Sequence, residues 1–406
     1  MAQTKTTSRK KAPAKPKAAT AKRPPAAKSA SERPKPKPKP KAKPAPAKPA
    51  TPAAPKPAAS KPTASKPAAS KPAPAKPGAA SPQGVKVLPK AFLLGLCEAI
   101  RTVVAPMVHQ VKGREVVDQA TSGDATFEID KVAERALLAY LKAERAPVAY
   151  YSEDSGYSTF TNDTPQHLLI VDPIDGTRAA KNGFEGCVVA VASTRVIERP
   201  TMANVDTACV MEIVGDRTFY AERGKGARIY ADGKLKKIRL SENVDLETVS
   251  WSMTVPARPA GLIFTAAAPL IDLTSLKGGF FACNSTSFSL TRLLTNQLDA
   301  CADFAGRYLR EIPDLVKDQF INAGRGNVLG IAPYDMAASL LIAKEAGCIV
   351  TDAYGESFDD VLLLDSSEHN HQSLIAAANP TLHEKLMIFF DTRIKQHVAA
   401  MQRARG

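Results

Sequence analysis

Between Ala2 and Ala80 the chain contains no Leu, Ile, Val, Phe, Tyr or Trp. A segment without large apolar side chains has nothing to bury against an ordering cost of about 1–2 kcal/mol per residue, so residues 1–84 are expected to form a disordered tail and not a domain. Acid is nearly missing there too: Glu32 stands alone against 21 Lys and Arg in residues 1–80. The rest of the chain then holds 34 of the 55 basic and 39 of the 40 acidic residues. The net charge of +15 therefore belongs to the tail and excludes a basic globular fold. No stretch approaches the roughly 20 apolar residues that cross a membrane. The basic start lacks the apolar core of a secretory signal. The six cysteines are scattered singly, with neither metal-ligand nor redox spacing, and most lie in apolar runs. They are read as reduced core residues, which fits a cytoplasmic protein.

What the tail does contain is Lys, Pro, Ala, Ser and Thr, with 19 prolines that remove backbone donors and favour polyproline II. Ser60-Lys61-Pro62, Ser65-Lys66-Pro67 and Ser70-Lys71-Pro72 repeat with a period too short for a solenoid unit. Its charge attracts any polyanion, nucleic acid included, by counterion release. It has no aromatic residues for base stacking.

From Val85 the pattern changes to that of a globular chain. Apolar spacing predicts helices over 91–108 and 125–141, the second with Val132, Leu137, Leu138 and Leu141 on one face and Lys131, Glu134 and Arg135 off it. His167 to Val171 reads as a buried strand ending at Asp172, with Pro173 blocking its continuation. Residues 187–193 form another β-branched run. Arg223-Gly224-Lys225-Gly226 marks a hairpin turn between 218–221 and 227–230. Residues 290–302 and 335–346 read as helices, Gly347 stops the second, and 348–351 is strand-like. Both element types alternate, so the class is mixed α and β.

The chemistry concentrates at Asp172-Pro173-Ile174-Asp175-Gly176-Thr177. Two carboxylates this close at the end of a buried strand repel unless a cation sits between them, and hard oxygen donors on a turn suit Mg²⁺. Ile174 can add its carbonyl. Gly176 lets the backbone approach an anion, so its N–H and that of Thr177 can hold phosphate. Glu153, in Ser152-Glu153-Asp154-Ser155, offers a third acidic ligand. Asp335 opens a helix, where it serves either as a ligand or as an N-cap.

Taken together, Gly123-Asp124-Ala125-Thr126-Phe127-Glu128-Ile129-Asp130, Ser152 to Ser155, Asp172 to Thr177, Phe219 to Ala227, Tyr334 to Ala338 and Glu345 to Asp352 resemble, in order, the inositol monophosphatase family. Its wider superfamily includes fructose-1,6-bisphosphatase and the bisphosphate nucleotidases. The resemblance spans about 88–390. It implies an α+β fold layered α-β-α-β-α, with residues 85–240 as the metal-binding half and 241–406 as the half that closes the site. It implies Mg²⁺-dependent, lithium-sensitive hydrolysis of a small phosphomonoester by metal-activated water, and often a homodimer. Glu153, Asp172 and the Ile174 carbonyl would hold one Mg²⁺. Asp172, Asp175 and Asp335 would hold a second. Asp130 and Thr177, with Glu153, would serve catalysis, and Asp175, Gly176 and Thr177 would face the phosphate.

The chain departs from the family pattern at several points. Tyr334 replaces the usual Trp, and Arg178-Ala179-Ala180-Lys181 follows the aspartate motif where inositol-selective members have Thr-Asn-Phe. Residues 306–333 are longer and more basic than expected. The extra cations at Arg178 and Lys181 favour a second phosphate, as in fructose 1,6-bisphosphate or a 3′(2′),5′-bisphosphate nucleotide, or else face solvent. A reading of another class makes the chain a nucleic-acid-associated protein with a non-catalytic phosphatase-like module.

Overall fold

Helices α1 (Lys90–Val104) and α2 (Glu128–Glu144) each present one apolar stripe: Leu93, Leu96, Cys97, Ile100 and Val104 on α1, and Ile129, Ala133, Leu137 and Leu141 on α2. The structure is a computed structural model that describes residues 84–108, 110, 116–120, 125–159 and 164–405. Residues 1–83 of the predicted tail, with Gly123 and Asp124, lie outside the described residues. The helix expected from residue 125 begins three residues later. Strand β1 (Val116–Gln119) pairs antiparallel with β2 (Ala125–Phe127), which claims those residues. Glu134, expected off the apolar face, is instead buried.

The first large sheet runs through β3 (Val148–Ser152), β4 (Gly156–Thr159), β5 (His167–Asp175), β6 (Val188–Thr194), β7 (Thr207–Glu212), β8 (Thr218–Glu222), β9 (Ala227–Ala231) and β10 (Lys234–Lys236). Its order is β10-β9-β8-β7-β6-β5-β3-β4, antiparallel except where β3 meets β5. A short helix, α3 (Thr177–Ala180), follows β5. The second sheet contains β11 (Ser250–Met253), β12 (Gly279–Ala282), β13 (Ala300–Asp303), β14 (Ile349–Thr351) and β15 (Leu374–Ala377), in the order β12-β11-β13-β15-β14. The remaining helices are α4 (Ala260–Thr274), α5 (Thr286–Leu293), α6 (Ala305–Glu311), α7 (Pro313–Ala323), α8 (Pro333–Ala346) and α9 (Pro380–Arg405).

Strand alternation assigns side chains to three cores. Val148, Tyr150, Leu169 and Val171 pack with α1 and α2. Ala149, Tyr151, Leu168 and Ile170 point the other way, onto α8 and α5. Across that helical layer, Cys301, Leu374 and Ala376 of the second sheet join the same core. Their neighbours Ala300, Ala302, Ile375 and Ala377 pack with α4 and α9. The result is an α-β-α-β-α stack. Helix α8 is buried from Met336 through Ala343 without a polar stripe, as a helix between two sheets must be.

Residues 290–302, expected as one helix, divide into the end of α5 and strand β13. Asn296 turns the chain with φ 58°, and Ala300 to Ala302 then pairs with β11 and β15. Small residues with good helix propensity are held in a strand because both neighbours supply ladder partners. Five of the six cysteines are buried and all six are free thiols. Among the described residues no helix is long and apolar enough to cross a membrane.

Candidate active site

Strand β5 does not stop at Pro173. It continues to Asp175 through a bulge, because Asp172 pairs with Ala190 while Asp175 pairs with Val188, so β5 spends one residue more than β6. Proline fits there since a bulge frees one position from donating to the ladder. The bulge keeps Asp172, Ile174 and Asp175 at 2%, 3% and 5% exposure. Ile174 N–H donates to Asp172 Oδ1 at 3.0 Å. Gly176 then takes φ 98°, and a Cβ at that position would lie 2.4 Å from the Gly186 carbonyl, so the turn admits only glycine. Thr177 opens α3 and its hydroxyl donates to the Ile174 carbonyl at 3.0 Å.

Three other segments deliver acids. Glu153 stands half-buried in the turn between β3 and β4. Asp335 is the third residue of α8, not its N-cap, and its Oδ2 reaches back to accept Ala332 N–H at 2.7 Å. Asp130 uses the same device on α2, accepting Phe127 N–H at 2.7 Å. The start of α5 ties two of these groups together. Ser287 N–H donates to Asp175 Oδ2 at 2.6 Å, and the Ser287 hydroxyl donates to the Asp335 carbonyl at 2.9 Å.

Glu153, Asp175 and Asp335 line one cavity of about 80 Å³, together with Arg178, Arg258 and His371. Asp172 lies buried within reach of all three acids. Burial first, and then the charges of Asp175, Glu153 and Asp335, hold its carboxyl well above the usual carboxylate range. Burial also pushes Asp175 up to about 6, against the help of hydrogen bonds from Ser287, Ser285 and Thr286. Four carboxylates from three separated segments therefore share one electrostatic field. Among the described residues no three acid, His or Cys side chains already surround a common point. The donor set nevertheless fits a hard divalent cation in kind: every member is an oxygen, and the buried charge excess is what a cation removes. Asp130 is not among the residues lining the cavity.

The sequence pointed to Arg178 and Lys181 as added cations. Arg178 lines the cavity, whereas Lys181 Nζ lies 3.7 Å from the ring centroid of Phe127. Among the lining residues that were not anticipated, two carry basic side chains. Arg258 follows β11, and its Nε and Nη2 donate to Asp303 Oδ2 at 3.0 and 2.7 Å. His371 Nε2 is 3.1 Å from the Ser366 carbonyl, and burial followed by the Arg258 charge lowers its pKa. A charged residue just past the carboxyl end of a strand was the available signal for Arg258. His371 sits in an irregular loop and carried none. Tyr334, in the place of the usual Trp, packs against Tyr151 with ring centroids 6.1 Å apart.

Residues 90–392 match the model of the Inositol monophosphatase family. A bifunctional NADP phosphatase/NAD kinase of Methanococcus maripaludis is 28% identical over 74% of this chain, which spans about half (49%) of that relative. A fructose-1,6-bisphosphatase/inositol-1-monophosphatase of Methanothermobacter thermautotrophicus is 27% identical over 73% of this chain and 95% of its own. Among solved structures, the extragenic suppressor protein suhB of Bartonella henselae superposes with a TM-score of 0.55 at 19% identity, covering 74% of this chain and 96% of that one.

Proposed function

Since the chain belongs to the inositol monophosphatase family, we propose that it is a Mg²⁺-dependent phosphomonoesterase acting on a small phosphorylated substrate of the inositol monophosphate kind. The observation that carries this is the convergence of Asp175, Glu153 and Asp335 on the buried Asp172, whose proton affinity is raised first by burial and then by those three charges. Glu153, Asp172 and the Ile174 carbonyl would hold one Mg²⁺, and Asp172, Asp175 and Asp335 a second. Bound there, Mg²⁺ supplies charge neutralisation for the phosphoryl oxygens and acidifies a water for in-line attack.

The chain's own residues do the rest. Asp130 and Thr177 orient the attacking water, and Thr177 is already fixed through its hydroxyl on the Ile174 carbonyl. The amides of Gly176 and Thr177 hold phosphate oxygens, which the left-handed turn at Gly176 makes approachable. Water oxygen bonds to phosphorus, the ester P–O bond breaks, and the alcohol leaves with a proton. No protein nucleophile is required.

The substrate end contains Arg178 and Arg258, so fructose 1,6-bisphosphate, a 3′(2′),5′-bisphosphate nucleotide and NADP stand beside inositol monophosphate as candidates. The names of the two archaeal relatives support NADP, fructose 1,6-bisphosphate and inositol monophosphate within that range. A purely structural phosphatase-like module would not need to keep four acids in one buried field.

The test is phosphate release from each of these compounds with and without Mg²⁺. Asp172→Asn should lower turnover by a factor of about 10³ or more while circular dichroism stays unchanged. Full turnover in this variant, or in excess chelator, would defeat the proposal. The tail, at 21 basic residues to one acid, would tether this enzyme to a polyanion such as nucleic acid.

A further inference from the structure

Glu134 is the one side chain on the buried face of α2 that sequence patterning placed in solvent. It is 8% exposed. Its Oε1 accepts the hydroxyl of Ser152 at 2.6 Å and that of Ser155 at a still shorter distance. The Ser155 backbone N–H donates in turn to the Ser152 hydroxyl at 3.2 Å, which closes a ring of three residues. These two serines bracket Glu153. The fourth member of the turn, Asp154, accepts the Thr126 hydroxyl at 2.7 Å, from the strand that leads into α2. Ser152, Asp154 and Ser155 are thus each tied back to α2 or to the strand before it, and Glu153, which they flank, lines the cavity. Glu134 also lies one helical turn after Asp130, so a single rigid helix carries both groups.

A core-filling role does not account for this arrangement. An apolar side chain of similar volume would fill the position without taking a carboxyl group out of water. The carboxyl is retained where its hydrogen bonds flank a cavity acid.

We propose that Glu134 is a positioning residue, clamping the β3–β4 turn to α2 so that Glu153 is held ready for a divalent cation at a fixed spacing from Asp130. This rests on the cation site proposed above. Without the clamp, Glu153 sits on a turn that must be ordered when the cation arrives, and affinity is lost in proportion. Supporting groups behind metal ligands are commonly worth about 10–100-fold in affinity.

The experiment titrates Mn²⁺ into the full-length chain and reads free Mn²⁺ by electron paramagnetic resonance, alongside turnover against Mg²⁺ concentration. Two variants are compared. Glu134→Met keeps the volume and removes the acceptor. Glu134→Gln keeps an oxygen for both serines and removes the charge. The expected result is a Mn²⁺ affinity about 10–100-fold weaker in Glu134→Met, with turnover at saturating Mg²⁺ within a few-fold of the parent. Glu134→Gln should recover most of the affinity. Parent-like Mn²⁺ binding in a folded Glu134→Met would overturn the proposal. So would a Glu134→Gln variant as impaired as Glu134→Met, since the effect would then belong to charge and not to the clamp. If Glu134→Met does not fold, Ser155→Ala removes one arm at an exposed position, and unchanged Mn²⁺ affinity there has the same consequence. An unmodified chain that binds no Mn²⁺ would instead count against the cation site itself, which separates the two failures.

Discussion

Replacing Asp175 by Asn in metal-free protein isolates the cost of ionising a carboxylate in a buried site. Burial raises Asp175 from 3.8 to about 6. That is about two pKa units, or about 3 kcal/mol at about 1.36 kcal/mol per unit. The folded-state value lies above the unfolded one, so the folded chain keeps this proton longer. Stability therefore falls as pH rises from about 4 to about 6, and the whole deficit is present above that window. Asparagine is neutral throughout and retains an oxygen for Ser287 N–H. The nearby serine hydroxyls lose an anionic acceptor, which costs about 1 kcal/mol.

The net expectation is a variant about 2 kcal/mol more stable than the parent at about pH 8 in chelator. With an unfolding entropy of about 2.1 cal/mol/K per residue over the roughly 310 described residues, the melting temperature should rise by about 3 °C. At about pH 4 the advantage should vanish or reverse. Added Mg²⁺ should raise the parent's melting temperature more than the variant's, because the cation offsets the cost of the same buried charge. Differential scanning calorimetry at both pH values reads all three effects. A variant that melts below the parent at the higher pH, or a difference indifferent to pH, would refute the electrostatic account of the site.

Two further outcomes are expected. Gly176→Ala places a Cβ 2.4 Å from the Gly186 carbonyl at φ 98°, so denaturant unfolding should show a loss of more than about 1–2 kcal/mol and turnover should fall with it. Removing residues 1–83 should leave turnover unchanged and abolish retention on immobilised DNA that weakens with salt; retention that persists would take the tail out of that role.

Much of the site was legible because its motif is local. Asp172 to Thr177 is one continuous segment, and the need for two carboxylates, a glycine and a turn in that order is set by backbone sterics and charge within six residues. The α-β-α-β-α layering was implied by resemblance. The structure explains it physically through alternation in β3 and β5 and through a helix, α8, apolar on every side. The errors have a common cause. Proline at 173 reads locally as a strand breaker, yet the bulge between Asp172 and Asp175 gives it a place within the pairing. Residues 300–302 read locally as helix, yet β11 and β15 offer ladders on both edges. Glu134 reads locally as a surface charge, yet Ser152 and Ser155 lie within hydrogen-bonding reach.

The sequence alone determined the charge division between tail and body, the identity of the acidic groups and the turn that only Gly176 permits, since composition and short-range backbone geometry settle such matters. Tertiary structure alone decided that Glu153 and Asp335 share a cavity with Asp175, that Arg258 and His371 join them, and that Lys181 lies over Phe127. Those outcomes depend on which surfaces meet when two sheets close on one helical layer, and contacts between separate elements of the chain leave no periodic trace in its sequence.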